Sequence, residues 1–185
     1  HCRDEEGQRV NFLSYAWPGV QQRVLAFMEE LLEYEPDGLC LAFNRGLPLI
    51  LFEEPVRERF RHRYGREPRL PEESETPEMT GVRHAMLMEF VEKAARLCQQ
   101  RKKALSCIVP RDFDKVRRLG LIVEDLARRG LVESLLVGAG HGDNPALADD
   151  LEPVRSLKRL GGRVFAGGSA VRAHGAAWPV NDFPK

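Results

Sequence analysis

The sequence predicts an α/β fold built from parallel β/α repeats. Three observations indicate it: helical and strand-like segments alternate along the chain, the links from each helix to the next strand are short, and the loops after the strands are longer and polar. Strands covered on both faces, as in a parallel sheet, form continuous apolar runs. The run GLCLAF over 38–43 has this character, because it does not alternate polar with apolar residues.

The predicted elements follow one another in a regular order. The first helix covers 17–34, because Pro18 suits a first turn and Val20, Val24, Phe27 and Leu31 recur at helical spacing. The strand 38–43 follows a turn at EPDG. The later elements are predicted as helices over 55–65, 80–102, 120–130 and 150–161, and strands over 104–110, 132–138 and 163–168.

Length and charge bound the class of protein. The 185 residues suit one domain, and a hydrophobic content of 43% permits a sizeable core. Twenty-eight basic residues balance 28 acidic ones, so there is no electrostatic case for a nucleic-acid partner. No apolar run approaches the ~20 residues of a membrane span. Because the chain begins at His1 without a leader, we expect a piece of a longer protein and read no localisation from this end.

The four cysteines predict neither a metal site nor a redox pair. Cys2, Cys40, Cys98 and Cys107 share no C-x-x-C spacing. Cys40, Cys98 and Cys107 lie in apolar segments and are expected to be small buried residues. No cofactor is predicted either, since G-x-G-x-x-G and G-x-x-x-x-G-K-[ST] motifs are missing from the sequence.

Two architectures use alternating β/α units. A doubly wound sheet reverses its strand order and usually carries a phosphate loop, whereas a (β/α)8 barrel needs eight repeats and roughly 250 residues. The long loops after strands favour the barrel. Residues 1–185 are therefore predicted as a single domain, about half of a (β/α)8 (TIM) barrel, which the remainder of the same barrel chain would complete because a half barrel has open edges.

Two stretches resemble a known group of proteins. PDGLCLAFNRGLPLILFEEPVRERFRHRYGREPR and ARRGLVESLLVG are similar to segments of uncharacterised glycoside-hydrolase-like TIM-barrel families, over about residues 17–140. The resemblance implies a glycosidase-type barrel of bacterial carbohydrate-processing or surface proteins, and hence an extracytoplasmic location. It departs at Ala42, where many such barrels carry an acidic residue.

The first strand end offers Asn44, Arg45 and Glu53. In a barrel, ligands meet the carboxyl ends of the strands. The planar guanidinium of Arg45 can hold a carboxylate or sugar hydroxyls, or form a salt bridge that shapes the loop. Glu53 is a candidate catalytic carboxylate. Alternatively, Glu53 and Glu54 complement the positive end of the following helix.

The second strand end offers Arg111 and Asp112. Glycoside hydrolysis needs two carboxylates, ~5 Å apart for retention or ~6.5–9.5 Å apart for inversion. Asp112 is the predicted partner of Glu53, and Arg111 a substrate-binding residue. The alternative for RDFDKVRR is a solvated loop of alternating charge.

The last two strand ends offer His141 and Trp178. His141 lies among glycines after a strand, where it can bind substrate, or pair with Asp143 in a turn. Trp178 can stack on a sugar ring or cover the core. His62 and His84 are expected at the surface.

The sequence therefore predicts a glycoside-hydrolase-like barrel that acts on carbohydrate through strand-end carboxylates. The alternative is a non-catalytic carbohydrate-binding or scaffold barrel, which the missing acid at Ala42 favours. Whether the chain is an enzyme stays open at this point.

Overall fold

The computed structural model describes residues 1–44, 48–138, 152–161 and 163–166. Over these residues the chain is a mixed α/β protein with six helices and six strands, four of which form one parallel sheet. In chain order the elements are β1 (Cys2–Arg3), β2 (Arg9–Val10), α1 (Pro18–Glu33), β3 (Gly38–Ala42), α2 (Glu54–Tyr64), α3 (Pro77–Gln100), β4 (Ala104–Pro110), α4 (Phe113–Arg118), α5 (Val123–Arg129), β5 (Ser134–Gly138), α6 (Glu152–Arg159) and β6 (Val164–Ala166).

The four-stranded sheet keeps its strands in chain order, β3-β4-β5-β6. All pairings are parallel, and the register aligns Ala42 of β3 with Ile108 of β4 and Ile108 with Leu136 of β5. Right-handed crossovers that advance in one direction keep the connecting helices on one face of the sheet. Among the described strands the order has no reversal, so it lacks the switch point of a doubly wound sheet. These strands do not close into a barrel.

The two faces of this sheet differ in burial. On β4, Leu105 and Cys107 are 4% and 0% exposed and belong to the hydrophobic core with helix side chains. Successive side chains of a strand point to opposite faces. On the opposite face Cys40 and Ala42 of β3 are exposed, and Phe165 of β6 is 52% exposed. The helices therefore cover one face, and the other is open at its edges.

The longest helix, α3, contributes more buried residues than any other described helix or strand. Pro77 occupies its first turn, and the Thr76 hydroxyl accepts a hydrogen bond from the Met79 amide at 3.4 Å. Twelve of its residues are buried: Met79, Thr80, Val82, Arg83, His84, Met86, Leu87, Met88, Phe90, Val91, Ala94 and Cys98. A helix buried around so much of its circumference is an internal element of the fold.

The N-terminal residues form a small hairpin, which the sequence analysis did not predict. β1 and β2 pair antiparallel. The Cys2 amide donates to the Phe12 carbonyl at 2.7 Å, and the Phe52 amide donates to the Arg3 carbonyl at 3.0 Å. The hairpin is thereby fastened to the segment that leads into α2.

Most predicted elements are confirmed, with one exception in a charged segment. The helix over 17–34 corresponds to α1, and the strand over 104–110 to β4. The segment RDFDKVRR, whose alternative interpretation was a solvated loop, contains α4, and that interpretation is wrong. The Asp112 side chain accepts a hydrogen bond from the Lys115 amide at 2.9 Å. Asp112 is therefore the N-cap residue of α4, and the helix begins directly after it.

Burial corrects two further expectations. Cys98 and Cys107 are buried as predicted, but Cys40 is exposed because it lies on the open face of the sheet. His84 was expected at the surface and is buried at 8% exposure, because α3 is covered on that side by the turn that precedes α5.

Within the described ranges, no helix has both the length and the hydropathy needed to cross a membrane. The same residues contain no group of three or more His, Cys, Asp or Glu side chains arranged to hold a metal ion.

Candidate functional site

The carboxyl ends of β3 and β4 place two predicted binding residues at one rim of the sheet. Asn44 follows β3 by two residues, and Arg111 directly follows β4. Because β3 and β4 are parallel and in register up to Ala42 and Ile108, these two ends meet at the same edge. Arg111 is 5% exposed and Asn44 is half-buried. A nearly buried guanidinium here is a fixed cation that can orient an anionic or hydroxyl-bearing ligand.

Asp112 adds a carboxylate to this rim. It is half-buried, and one of its oxygens caps α4 through the Lys115 amide. A carboxylate has two oxygens and about four acceptor positions, so capping leaves capacity for a further donor. Arg111 and Asp112 are thus a cation and a carboxylate at adjacent positions directly after β4.

Glu53 occupies a different environment. Its side chain is 0% exposed. One oxygen accepts from the Arg3 amide at 3.1 Å, and the Leu51 amide lies 3.3 Å and 3.2 Å from its two oxygens. Hydrogen bonds from backbone amides satisfy a buried carboxylate and hold its position. In this structure Glu53 joins the N-terminal hairpin to the start of α2, while the adjacent Glu54 is exposed and ion-paired with Arg61 at 3.2 Å.

A thiol lies beside the Glu53 carboxylate. Cys2 is 0% exposed, and its Sγ is 3.5 Å from the Pro48 carbonyl oxygen. Burial, with a smaller contribution from the negative charge of Glu53, raises the pKa of the Cys2 thiol to about 12. A thiol with so high a pKa remains protonated at neutral pH and is a poor nucleophile.

Arg83 is a buried cation that the sequence analysis missed. It is 1% exposed, stacks over the Phe52 ring at 4.9 Å and donates to the Ser74 carbonyl at 3.0 Å. Burial lowers its pKa to about 10, although Glu5 and Glu53 act in the opposite direction. Its Nε atom has no hydrogen-bond partner among the described residues. The signal in the sequence was the pair Arg83-His84 inside an otherwise apolar helix segment.

His84 connects α3 to α5. Its Nε2 atom lies 2.9 Å from the Asp125 carboxylate, and its Nδ1 atom accepts from the Ile122 amide at 3.3 Å. The network assigns the proton to Nε2, since Nδ1 faces a donor. Both ring nitrogens are occupied, so His84 has a structural role in this arrangement.

Three predicted site residues, Arg45, His141 and Trp178, lie outside the described residues. Of the predicted residues within the described ranges, Asn44, Arg111 and Asp112 come to the rim of the sheet, and Glu53 lies beneath the N-terminal hairpin. The catalytic pairing of Glu53 with Asp112 stays a prediction.

A search of protein-family models and of curated proteins finds no match to this chain.

Proposed function

We propose that this chain forms half of a (β/α)8 barrel of the glycoside-hydrolase-like kind and acts on carbohydrate. The observation that carries the proposal is the strand order β3-β4-β5-β6: four parallel strands in chain order, with helices on one face and an open opposite face. In a (β/α)8 barrel the strands follow in chain order, helices surround them, and the other face becomes the interior. Further strands, which the sequence assigns to the remainder of the same chain, would cover it.

The ligand site in this proposal is the rim formed by Asn44, Arg111 and Asp112. Ligands of such barrels bind at the carboxyl ends of the strands. A guanidinium and a carboxylate at one strand end can donate to and accept from neighbouring sugar hydroxyls. Arg45, His141 and Trp178 are assigned to the same rim by the sequence alone.

The reaction proposed for this rim is hydrolysis of a glycosidic bond by two carboxylates. Asp112 is the better placed of the two predicted acids, because Glu53 has no exposed surface. A catalytic Glu53 requires the N-terminal hairpin to move away from it, since the hydrogen bond from the Arg3 amide occupies its carboxylate.

A second candidate function, binding without hydrolysis, is favoured by a specific observation. The carboxylate of Glu53 is engaged with backbone amides rather than with open space. Ala42, where similar barrels carry an acid, offers no replacement. A barrel with one rim carboxylate can bind a glycan but lacks the acid and base pair that cleavage needs.

Turnover and binding on a glycan panel, measured for the same preparations, distinguish the two functions. We expect the wild-type chain to release reducing sugar from at least one glycan, and Asp112→Asn to lose turnover at least ~100-fold while it still binds. Asparagine retains the helix cap, so the variant should fold. Asp114→Asn, an exposed acid two residues away, is the matched control. Binding without turnover would establish the second function, and neither binding nor turnover would contradict both.

A further inference from the structure

His84 holds the turn between α4 and α5 against helix α3. This turn, residues 119–122, has no titratable side chain. Its last residue, Ile122, donates its backbone amide to the Nδ1 atom of His84 at 3.3 Å. The Nε2 atom of the same ring lies 2.9 Å from the carboxylate of Asp125 in the first turn of α5. One imidazole therefore fastens two consecutive parts of the chain to α3.

The two contacts need different states of the ring nitrogens. Nδ1 accepts a hydrogen bond only while it carries no proton, whereas Nε2 must carry a proton to donate to Asp125. The neutral ring with its proton on Nε2 satisfies both partners. A second proton binds Nδ1, which then presents an N–H group to the N–H group of Ile122. Because two donors cannot form a hydrogen bond with each other, the charged ring keeps Asp125 and loses Ile122.

The charge in contact with the ring is negative. Each element packed around His84 carries charged side chains: Glu124, Asp125 and Arg129 on α5, Arg117 and Arg118 at the end of α4, Glu75 before α3, and Arg83 on α3 itself. Arg117 pairs with Glu124, Arg118 with Glu75, and Arg129 lies 3.8 Å from Asp125. Asp125 is the charged group that touches the ring, and a carboxylate in contact favours the imidazolium form. The protonated ring is therefore retained on α5 rather than expelled.

The turn is packed too closely on α3 to slide past the charged ring. Gly120 has a φ of 89°, and a Cβ at this position would lie 2.9 Å from the Cβ of Arg83. Leu121 is fully buried. Closely packed interiors have little free space for small shifts. The conflict between the two N–H groups is therefore relieved by movement of Ile122 away from α3.

Helix α4 connects this turn with the rim of the sheet. The Leu121 amide donates to the Val116 carbonyl at 2.9 Å, and the Val116 amide donates to the Asp112 carbonyl at 3.1 Å. Asp112 is also the residue whose side chain caps α4. Backbone hydrogen bonds thus run from the turn to the carboxylate residue at the rim.

We propose that His84 is a pH-sensitive latch for the turn 119–122. The uncharged ring holds the Ile122 amide, and the protonated ring releases this amide while it stays paired with Asp125. The proton comes from solvent and binds Nδ1, and the hydrogen bond from Ile122 is the contact that is lost. Histidine is the side chain whose charge changes between about pH 5 and pH 8. The latch is a property of the fold and does not rest on the proposed function.

Hydrogen exchange of the Ile122 amide tests the latch. We expect its protection, corrected for the intrinsic exchange rate, to fall at least ~10-fold from about pH 8 to about pH 5. The Glu133 amide, which donates to the Leu105 carbonyl at 2.7 Å, is the internal control and should keep its protection. Constant protection at Ile122, or an equal loss at Glu133, would overturn the proposal.

Two substitutions of His84 separate its two contacts. His84→Asn places an amide oxygen near the position of Nδ1, which accepts from Ile122 and gains no proton, so Ile122 should stay protected throughout. His84→Gln places its amide near the position of Nε2, so Ile122 should be poorly protected throughout. His62→Asn, the same change at an exposed histidine of α2, is the matched control and should keep the wild-type pH dependence. A pH-dependent loss that persists in His84→Asn would assign it to another group and refute the latch.

Two measurements decide the question even if the variants of buried His84 do not fold. In wild type, the NMR signals of the His84 ring and of the Ile122 amide should change with one common midpoint. Asp125→Asn keeps an acceptor for Nε2 and removes the negative charge, so this midpoint should move to lower pH. Separate midpoints in wild type, or an unchanged midpoint in Asp125→Asn, would contradict the proposal.

Discussion

At the scale of single residues, the carboxylate of Glu73 illustrates how local partners control ionisation. It is 8% exposed and pairs with Arg66 at 2.7 Å and Arg69 at 2.8 Å. The hydrogen bond from Arg66, followed by that from the Arg69 amide, lowers the pKa of Glu73 to about 2. The negative form is therefore preferred in the folded chain.

This pKa gives a stability prediction with a defined sign. A depressed carboxyl pKa stabilises the fold above the unfolded value and ceases to do so as pH falls through the folded value. Glu73→Gln should lower the free energy of unfolding at pH 7, and the difference from wild type should shrink between pH 4.5 and about pH 2. Urea unfolding at several pH values measures it, with Glu72→Gln, an exposed neighbour, as control. If the difference in unfolding free energy between wild type and Glu73→Gln does not change with pH, the lowered pKa of Glu73 is contradicted.

Arg83 provides a second test at this scale. Its buried guanidinium donates one hydrogen bond, to the Ser74 carbonyl, and its Nε has no partner among the described residues. Much of the stability that Arg83 contributes should therefore come from packing on Phe52. Arg83→Ala should lower the free energy of unfolding by ~2–5 kcal/mol through the cavity it leaves. Arg83→Met should cost less than ~1.5 kcal/mol, because it keeps much of the volume and removes a buried charge. If urea denaturation shows that Arg83→Ala and Arg83→Met lose the same free energy of unfolding, the charge of Arg83 itself stabilises the fold.

At the scale of elements, the turn between α4 and α5 depends on a glycine. Gly120 has a φ of 89°, and a Cβ at this position would lie 2.9 Å from the Cβ of Arg83. Gly130, which ends α5, has a φ of 58° with no atom within 4 Å of the corresponding position. The two glycines share a left-handed backbone and differ in crowding.

The comparison isolates the cost of the close approach to α3. Gly130→Ala should destabilise by ~1 kcal/mol, which is the penalty for the left-handed conformation. Gly120→Ala should lose at least ~1 kcal/mol more, because α3 or the turn must shift. Thermal and urea unfolding of both variants check the difference. If the two losses are the same, the turn does not pack as closely on α3 as described.

The elements that the sequence predicts correctly are those whose signal is local. α1 and α3 follow from apolar periodicity, and β3, β4 and β5 from apolar runs bounded by turns. Which side of each helix is buried in the fold was harder to predict from the sequence. Val20, Val24, Phe27 and Leu31 indicate the helix, yet α1 buries Gln21, Met28 and Leu32, because which flank is covered depends on α3.

The candidate site likewise shows that residues next to a predicted strand could be placed from the sequence, whereas contacts between distant segments could not. Arg111 and Asp112 were predictable because they directly follow a strand. The environment of Glu53 was not, because its hydrogen bond comes from Arg3, fifty positions away in the chain. His84 was assigned to the surface for a similar reason: its neighbours Ile122 and Asp125 come from a later turn and helix.

At the scale of the whole molecule, the order of the strands connects the fold with the proposed site. A parallel sheet in chain order brings the carboxyl ends of all strands to one edge, where Asn44, Arg111 and Asp112 lie. The same order leaves one sheet face and two strand edges uncovered within the described residues. The proposed closure into an eight-stranded barrel would account for both features.

The reactivity of the Cys40 thiol in the native wild-type chain tests this closure most directly. Burial raises the pKa of Cys2, Cys98 and Cys107, so these thiols should react with a disulfide reagent only after unfolding. Cys40 lies on the open face and is exposed in the single chain. In a closed barrel Cys40 faces the interior, so it should react slowly in a native longer chain that carries the remaining strands and rapidly in the 185-residue chain alone. Equally rapid reaction of Cys40 in both native chains would contradict the barrel.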